Sequence, residues 1–255
     1  MENSYDLKQL NYKYIKNKKF DVAILPWGAT EAHNYHLPYG TDNYEVNIIT
    51  SRSAEIATEY GAKVLVLPEI AYGVNTGQTD IPFVMNMMPS TQKSIIEDIA
   101  ASLQRSRINK LLILNGHGGN DFKTIIRETG HKFPDMCICS ANWFQALDHT
   151  QYFDYPGDHA DEMETSLMLH LYPELVLPID EAGNGQHKKF TVQGLNEKWA
   201  WAERKWTEIS NDTGVGNPYH ASAEKGETFF NDLCQKIGTF IYDLATTPKE
   251  KFFSY

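Results

Sequence analysis

The feature that most limits what this chain can fold into is a repeated alternation. Four short apolar runs, "DVAILPWG" (21–28), "AKVLVLPEI" (62–70), "KLLILNGHG" (110–118) and "MCICSANW" (136–143), are separated by longer stretches with helical spacing. Each run is continuously hydrophobic, of strand length, and closed by turn-forming residues, the pattern of a strand buried on both faces. Helices are expected over 42–60 and 90–107, where Ile95, Ile96, Ile99 and Leu103 form a one-face stripe and Ser90, just after Pro89, is a candidate N-cap. A third helix is expected from about Asn120 to Lys132 and a last one over about 222–246. Strand–helix repetition of this kind needs right-handed crossovers. The expected fold class is therefore α/β: a three-layer α/β/α sandwich with a mostly parallel central sheet. A chain of 255 residues suits a single domain, 1–255, with a core of useful size. Within it the polar stretch 181–220, which carries Trp199, Trp201 and Trp206, reads as an excursion covering the site or meeting a neighbouring subunit.

In such sheets ligands bind beyond the carboxyl ends of the strands. The chemistry-bearing residues fall there. The stretch "GATEAHNYHLPYGTDNYE" (28–45) follows the first strand and holds Glu31, His33, His36 and Asp42. The third strand runs into "NGHGGND", which sets His117 among Gly116, Gly118 and Gly119. Those glycines permit a tight turn and close approach of backbone to a ligand, but the spacing of neither a phosphate-binding loop nor a dinucleotide-binding turn is present. Taken alone, a glycine turn with an incidental histidine fits equally well. The third cluster, "YPGDHADEMETSLMLHLYPELV" (155–176), brings Asp158, His159, Asp161, Glu162 and Glu164 into the start of a helix. Here Asp161 as N-cap, with Glu164 closing a capping box, is as good a reading as metal ligation. In combination the three clusters point to divalent metal. Imidazole and carboxylate suit zinc and manganese, and a set without cysteine fits a catalytic site with open positions better than a closed structural one.

The bulk properties remove other functions. A net charge of -10 argues against a nucleic-acid partner. No apolar run approaches the roughly 18 residues needed to span a bilayer, so no membrane partner is expected. The opening "MENSYDLKQLNYKYIKNKKF" lacks the apolar core of a signal peptide. Of the three cysteines, Cys137 and Cys139 are read as facing opposite sides of one strand, as buried thiols of a reducing compartment. A cytoplasmic location is expected.

Four motifs in order, "LPWGATEAHNYHLPYGTDN", "LNGHGGN", "HADEMETS" and "ASAEKGE", resemble the creatininase (creatinine amidohydrolase) family over about residues 22–230. The resemblance implies a three-layer α/β/α fold and two divalent ions per chain, zinc and/or manganese, with iron a third candidate. It also implies hydrolysis of a C–N amide bond by a hydroxide bridging the ions, a small-molecule amide substrate, and a homo-oligomer, with a hexamer favoured. By the same resemblance Glu31, Asp42 and His117 hold one ion, while His33 and Asp42 hold the other, so that Asp42 bridges. Creatininase has a glutamate ligand two residues after the strand-end histidine; this chain has Gly119. The missing carboxylate is then expected from Glu164, with Glu162 in reserve. His159 is the expected proton shuttle, Glu162 a further catalytic candidate, and His36 a residue that steers a ligand by hydrogen bonding. Trp143 is expected to stack on substrate, beside Gly118 and Asp158. Glycine at both 118 and 119 removes a side-chain wall, which favours a larger or linear amide, such as a formamide on a heterocycle, over creatinine. Two rival readings stay open: a non-catalytic metal-binding or sensory protein, and a peptidase-like relative.

Overall fold

A computed structural model of the chain describes residues 5–253. Its centre is a sheet of four parallel strands: β1 (Val22–Trp27), β2 (Val64–Val66), β3 (Lys110–Asn115) and β4 (Cys137–Asn142), in the order β2-β1-β3-β4. The β1–β3 register pairs Ala23 with Leu111 and Trp27 with Asn115, so both strands end level at the carboxyl rim. Alternate residues feed two apolar clusters. Val22, Ile24, Leu112 and Leu114 face α1 (Thr41–Glu59), α4 (Glu162–Leu171) and α5 (Ala223–Thr246). Ala23, Leu25, Leu111 and Ile113 face α2 (Pro89–Arg105) and α3 (Lys123–Lys132). The three layers follow from burying both faces of a parallel sheet.

Local differences from expectation have local causes. The second strand is only three residues long, because the chain leaves the sheet after Val66 and returns as a single bridge between Ile70 and Trp27. α2 begins at Pro89 rather than after Ser90: the proline takes the first helical position, where its missing N–H costs nothing. Cys137 and Cys139 share one face of β4, since residues two apart on a strand point the same way; with Ala141 they pack against the inner cluster. The expectation of opposite faces is corrected.

α5 ties the molecule together. Ser222 caps its start by accepting from Lys225 N, and Phe229, Leu233, Ile237 and Ile241 bury its inner face against α1 and α4. At its other end Lys110 Nζ donates to the carbonyls of Leu244, Ala245 and Thr247, satisfying acceptors a helix C-terminus leaves unpaired. The stretch 181–220 is largely irregular, with one-turn helices at Gln193–Asn196 and Trp206–Ile209. It is fastened by buried Asp212, which accepts from Ser210 Oγ, Gly214 N and Gly185 N. Among the described residues no helix is long and apolar enough to cross a membrane.

Candidate metal centre

The carboxyl rim gathers Glu31 and His33 from the loop after β1, Asp42 from the first turn of α1, His117 from the loop after β3, and His159 and Glu164 from the start of α4; all six are at most 8% exposed. His117 Nδ1 lies 2.8 Å from Glu31 Oε1 and 3.0 Å from Asp42 Oδ2, and His33 Nε2 lies 2.9 Å from Asp42 Oδ1. Donor atoms of Glu31, Asp42 and His117 fall within 4.8 Å of one another, as do those of His33, Asp42 and Glu164. Asp42 is common to both sets. A third set, Glu31, His33 and His159, shares its first two members with them.

The backbone decides which imidazole nitrogen faces the cluster. His117 Nε2 donates to Val74 O at 3.0 Å, His33 Nδ1 to Glu31 O at 3.2 Å, and His159 Nε2 to Ala32 O at 2.8 Å. A carbonyl oxygen only accepts, so each of these nitrogens carries a proton, and the opposite nitrogen is the one left facing the centre. Asp42 Oδ2, despite its closeness to His117 Nδ1, has no aligned hydrogen-bond partner. The donor set of imidazole nitrogen and carboxylate oxygen, with lone pairs converging and one buried oxygen orphaned, fits a divalent ion of the zinc or manganese type.

Electrostatics agree. Burial pulls the pKa of His33 down, but the Asp42 carboxylate outweighs it and holds it up at about 10. Burial also works against His117, which Glu31 and Asp42 raise well above the ordinary imidazole range. Asp42 is depressed because His33 and His117 overcome its own desolvation. Glu164 goes the other way: burial lifts it to about 8, against the pull of His33. A dry pocket of carboxylates held by imidazolium protons is one in which a metal ion competes with those protons for the same lone pairs. His159 differs. Burial and the neighbouring His33 lower it to about 4, leaving a neutral ring whose Nδ1 sits 3.9 Å from Glu31 Oε1.

The support around His117 explains the glycines. A Cβ on Gly119 would fall inside contact distance of Val74 O and His117 Nε2, and one on Gly73 would lie 2.6 Å from His117 Cδ2. The Val74 carbonyl thus occupies the space a side chain at 119 would need, and the expected opening exists only at Gly118, where a Cβ meets nothing within 4 Å. Asn115, Asn120, Asn142 and Gln92 brace the same loop through side-chain amides, Asn120 Nδ2 donating to Asn115 Oδ1 at 2.9 Å. Gln78, which sequence reasoning passed over, donates through Nε2 to Glu31 Oε2. Nothing in "VNTGQTD" marks it, because its role depends on where the chain after β2 comes to rest.

The remaining expected residues take different places. Asp161 is the N-cap of α4, accepting from Met163 N and Glu164 N, while Glu164 joins His33 and Asp42, so capping and clustering coexist. Ala160, between His159 and Asp161, adopts a left-handed φ of 48°, and its N–H meets Glu164 Oε2. Glu162 is buried but turned away from the cluster, paired with Lys225 Nζ and accepting from Tyr155 N. Asp158 stands at the rim in an ion pair with Arg204. His36 Nε2 meets Thr165 Oγ1 at 2.9 Å, bracing the turn that carries Glu164. Trp143 is 1% exposed in the inner apolar cluster, edge-on to Phe144, so its ring faces protein rather than solvent. Trp206, singled out only as part of the excursion, instead lies against His159, ring centroids 4.7 Å apart. Glu45, one turn after Asp42, is fully buried with both carboxyl oxygens unpartnered, and burial with Glu164 and Asp42 nearby pushes its pKa well up.

The chain matches the family model for creatininase (creatinine amidohydrolase) over residues 8–241. It belongs to the creatininase family. A crystal structure from Bacteroides fragilis, provisionally described as a creatinine amidohydrolase, is 43% identical and superposes with a TM-score of 0.91 over 98% of this chain and 99% of that one. A creatininase in a manganese form has the same fold at 22% identity, TM-score 0.78, covering 96% and 100% of the two chains. Among curated relatives, the 3-dehydro-scyllo-inosose hydrolase of Thermotoga maritima is 27% identical over 69% of this chain and 64% of its own. The mycofactocin precursor peptide peptidase of Mycolicibacterium smegmatis is 24% identical over 83% and 81%. Relative to the Thermotoga protein, then, the creatininase-family match spans slightly less than two thirds of the relative's length.

Proposed function

We propose that this chain is a metal-dependent amidohydrolase that cleaves a non-peptide C–N amide bond with two divalent ions, zinc and/or manganese. The observation that carries the reading is the sharing of Asp42 between two donor sets, Glu31–Asp42–His117 and His33–Asp42–Glu164. On this reading Glu31 and His117 hold one ion, His33 and Glu164 the other, and Asp42 both. Bound ions of this type supply an activated water near neutral pH and polarise the substrate carbonyl. The rest falls to the chain. Gln78 and the carbonyls of Val74, Glu31 and Ala32 fix the donors in place before substrate arrives, so little reorganisation is needed during reaction. His159, neutral and with its Nδ1 lone pair toward the cluster, takes a proton from the attacking water and returns it to the leaving nitrogen. Glu162, paired to Lys225, holds the rim loop through Tyr155 N rather than handling a proton.

The relatives include one named a peptidase and one named a 3-dehydro-scyllo-inosose hydrolase, so hydrolysis is common to them while the bond cleaved is not. Substrate is the finer question. With Gly118 facing open space, a larger or linear amide is favoured over creatinine. Mass-spectrometric screening of amides and formamides with the manganese- and zinc-loaded protein tests both points. Turnover of at least one amide supports the reaction, and creatinine should lag it. A creatinine kcat/KM of about 10⁴ M⁻¹s⁻¹ or more, the ordinary enzyme range, would overturn the substrate preference.

A further inference from the structure

Of the ring contacts made by His159, one is to His33, a donor of the cluster, and the other is to Trp206 from the excursion. Trp206 is half-buried and belongs to neither of the apolar clusters that clothe the sheet, unlike Trp143. It is nonetheless fixed from three sides. The Arg204 guanidinium lies over its indole, 4.9 Å from the ring centroid, and pairs with Asp158 on the rim loop. The backbone at Arg204 presses on the turn 76–78, where Gly77 has no room for a Cβ beneath the Arg204 carbonyl. That turn carries Gln78, which holds Glu31. Thr207 Oγ1 donates to Asp80, and Thr76 to Glu203, on the same seam.

A large aromatic ring held rigidly at the edge of a polar centre, outside both sheet clusters and in contact with the proposed proton shuttle, has little structural reason to be aromatic. It has a recognition reason. Planar groups gain from offset or edge-on contact with indole beyond the area they bury. Gly118, on the loop that carries His117, adds no side chain of its own, and a Cβ there would meet nothing within 4 Å. We infer that Trp206, held in place by Arg204, is a wall of the substrate site, and that the amide this chain takes carries a planar conjugated group next to the scissile bond. The inference rests on the metal-dependent reading given above, and its test separates the two.

Three hydroxamates serve as probes, titrated calorimetrically into zinc-loaded protein. Acetohydroxamate reports the metal floor alone. Benzohydroxamate and cyclohexanecarbohydroxamate add a planar and a puckered ring of similar size. The wild type should bind the planar ring about 3- to 10-fold more tightly than the puckered one, the range aromatic contacts give. Trp206→Ala should abolish that preference and Trp206→Phe should keep most of it, with acetohydroxamate binding unchanged in both. Absence of the preference in the wild type, or its survival in Trp206→Ala, overturns the wall. Loss of acetohydroxamate binding in Trp206→Ala does so too, by showing that Trp206 supports the floor instead. If acetohydroxamate fails to bind even the wild type, the metal-dependent reading falls and takes this inference with it.

Discussion

The connection 28–42 and the segment 203–207 border the same buried cluster but are built on different principles. In the first, donors lie close in sequence, and short backbone contacts orient them: Glu31 O receives His33 Nδ1 two residues on. Asp42 gains further from the first turn of α1, where a helix favours negative charge. In the second, apart from the Arg204–Trp206 stacking, position comes from partners far along the chain, Asp158 for Arg204, His159 for Trp206 and Asp80 for Thr207. A site floor can be written locally. The wall inferred at Trp206 is written by tertiary contact.

The sharpest way to break this contrast is at the residue both donor sets share. Asp42→Ala should drop metal content from two ions per chain to near zero by elemental analysis. Glu164→Ala should lose only one, and Glu162→Ala should lose none, because Glu162 answers to Lys225 instead. Retention of both ions in Asp42→Ala would sink the bridging assignment.

The two adjacent glycines sharpen it on a smaller scale. Gly119→Ala forces a methyl against Val74 O and His117 Nε2 and should destabilise by about 1–3 kcal/mol, the usual cost of overpacking. Gly118→Ala points into open space and should stay within about 0.5 kcal/mol. Thermal denaturation of the two variants side by side decides it; equal losses would show that the loop backbone, not the Val74 contact, requires glycine.

The remaining effect is in pH. In metal-free protein His33 is raised from an ordinary 6.5 to about 10, and Glu164 from 4.5 to about 8. Both bind more protons folded than unfolded, so their combined contribution to stability falls as pH rises from about 6.5 to 10. His159 and His36, lowered from 6.5 to about 4, act in the opposite sense between about pH 4 and 6.5, so the fall is read above that range. Melting temperature of the metal-free protein should therefore decline across it. Metal loading, which replaces the His33 proton and neutralises Glu164, should flatten the decline. A metal-free profile as flat as the loaded one would remove the centre's protons from the account.

What could be read in the sequence follows the same division. Glu31, His33, Asp42 and His117 sit at the ends of continuous apolar strands, and parallel-sheet topology alone sends such residues to one rim. Helix spans near 42–60, 90–107 and 222–246 came from periodicity and agree with the structure to within a few residues. Trp143 was the ring expected to stack on substrate, and it is instead 1% exposed in the apolar cluster, because only packing separates a core ring from a rim ring. The Val74 carbonyl was invisible in principle, since every residue has one. Gly119 as a filled position, rather than an open one, follows from that carbonyl and was equally hidden.

α5 packs against both α1 and α4, the helices that carry Asp42 and Glu164 in their first turns, and it lies downstream of every strand and helix named above. During synthesis the chain leaves the ribosome from its amino end. α1 and α4 therefore wait without their common partner until residues 223–246 emerge, with Lys110 likewise lacking the carbonyls it caps. The rim that gathers the donors is thus stiffened last, and a nascent chain stalled before this helix would display its acidic and imidazole groups on a loosened scaffold, open to whichever cation came first.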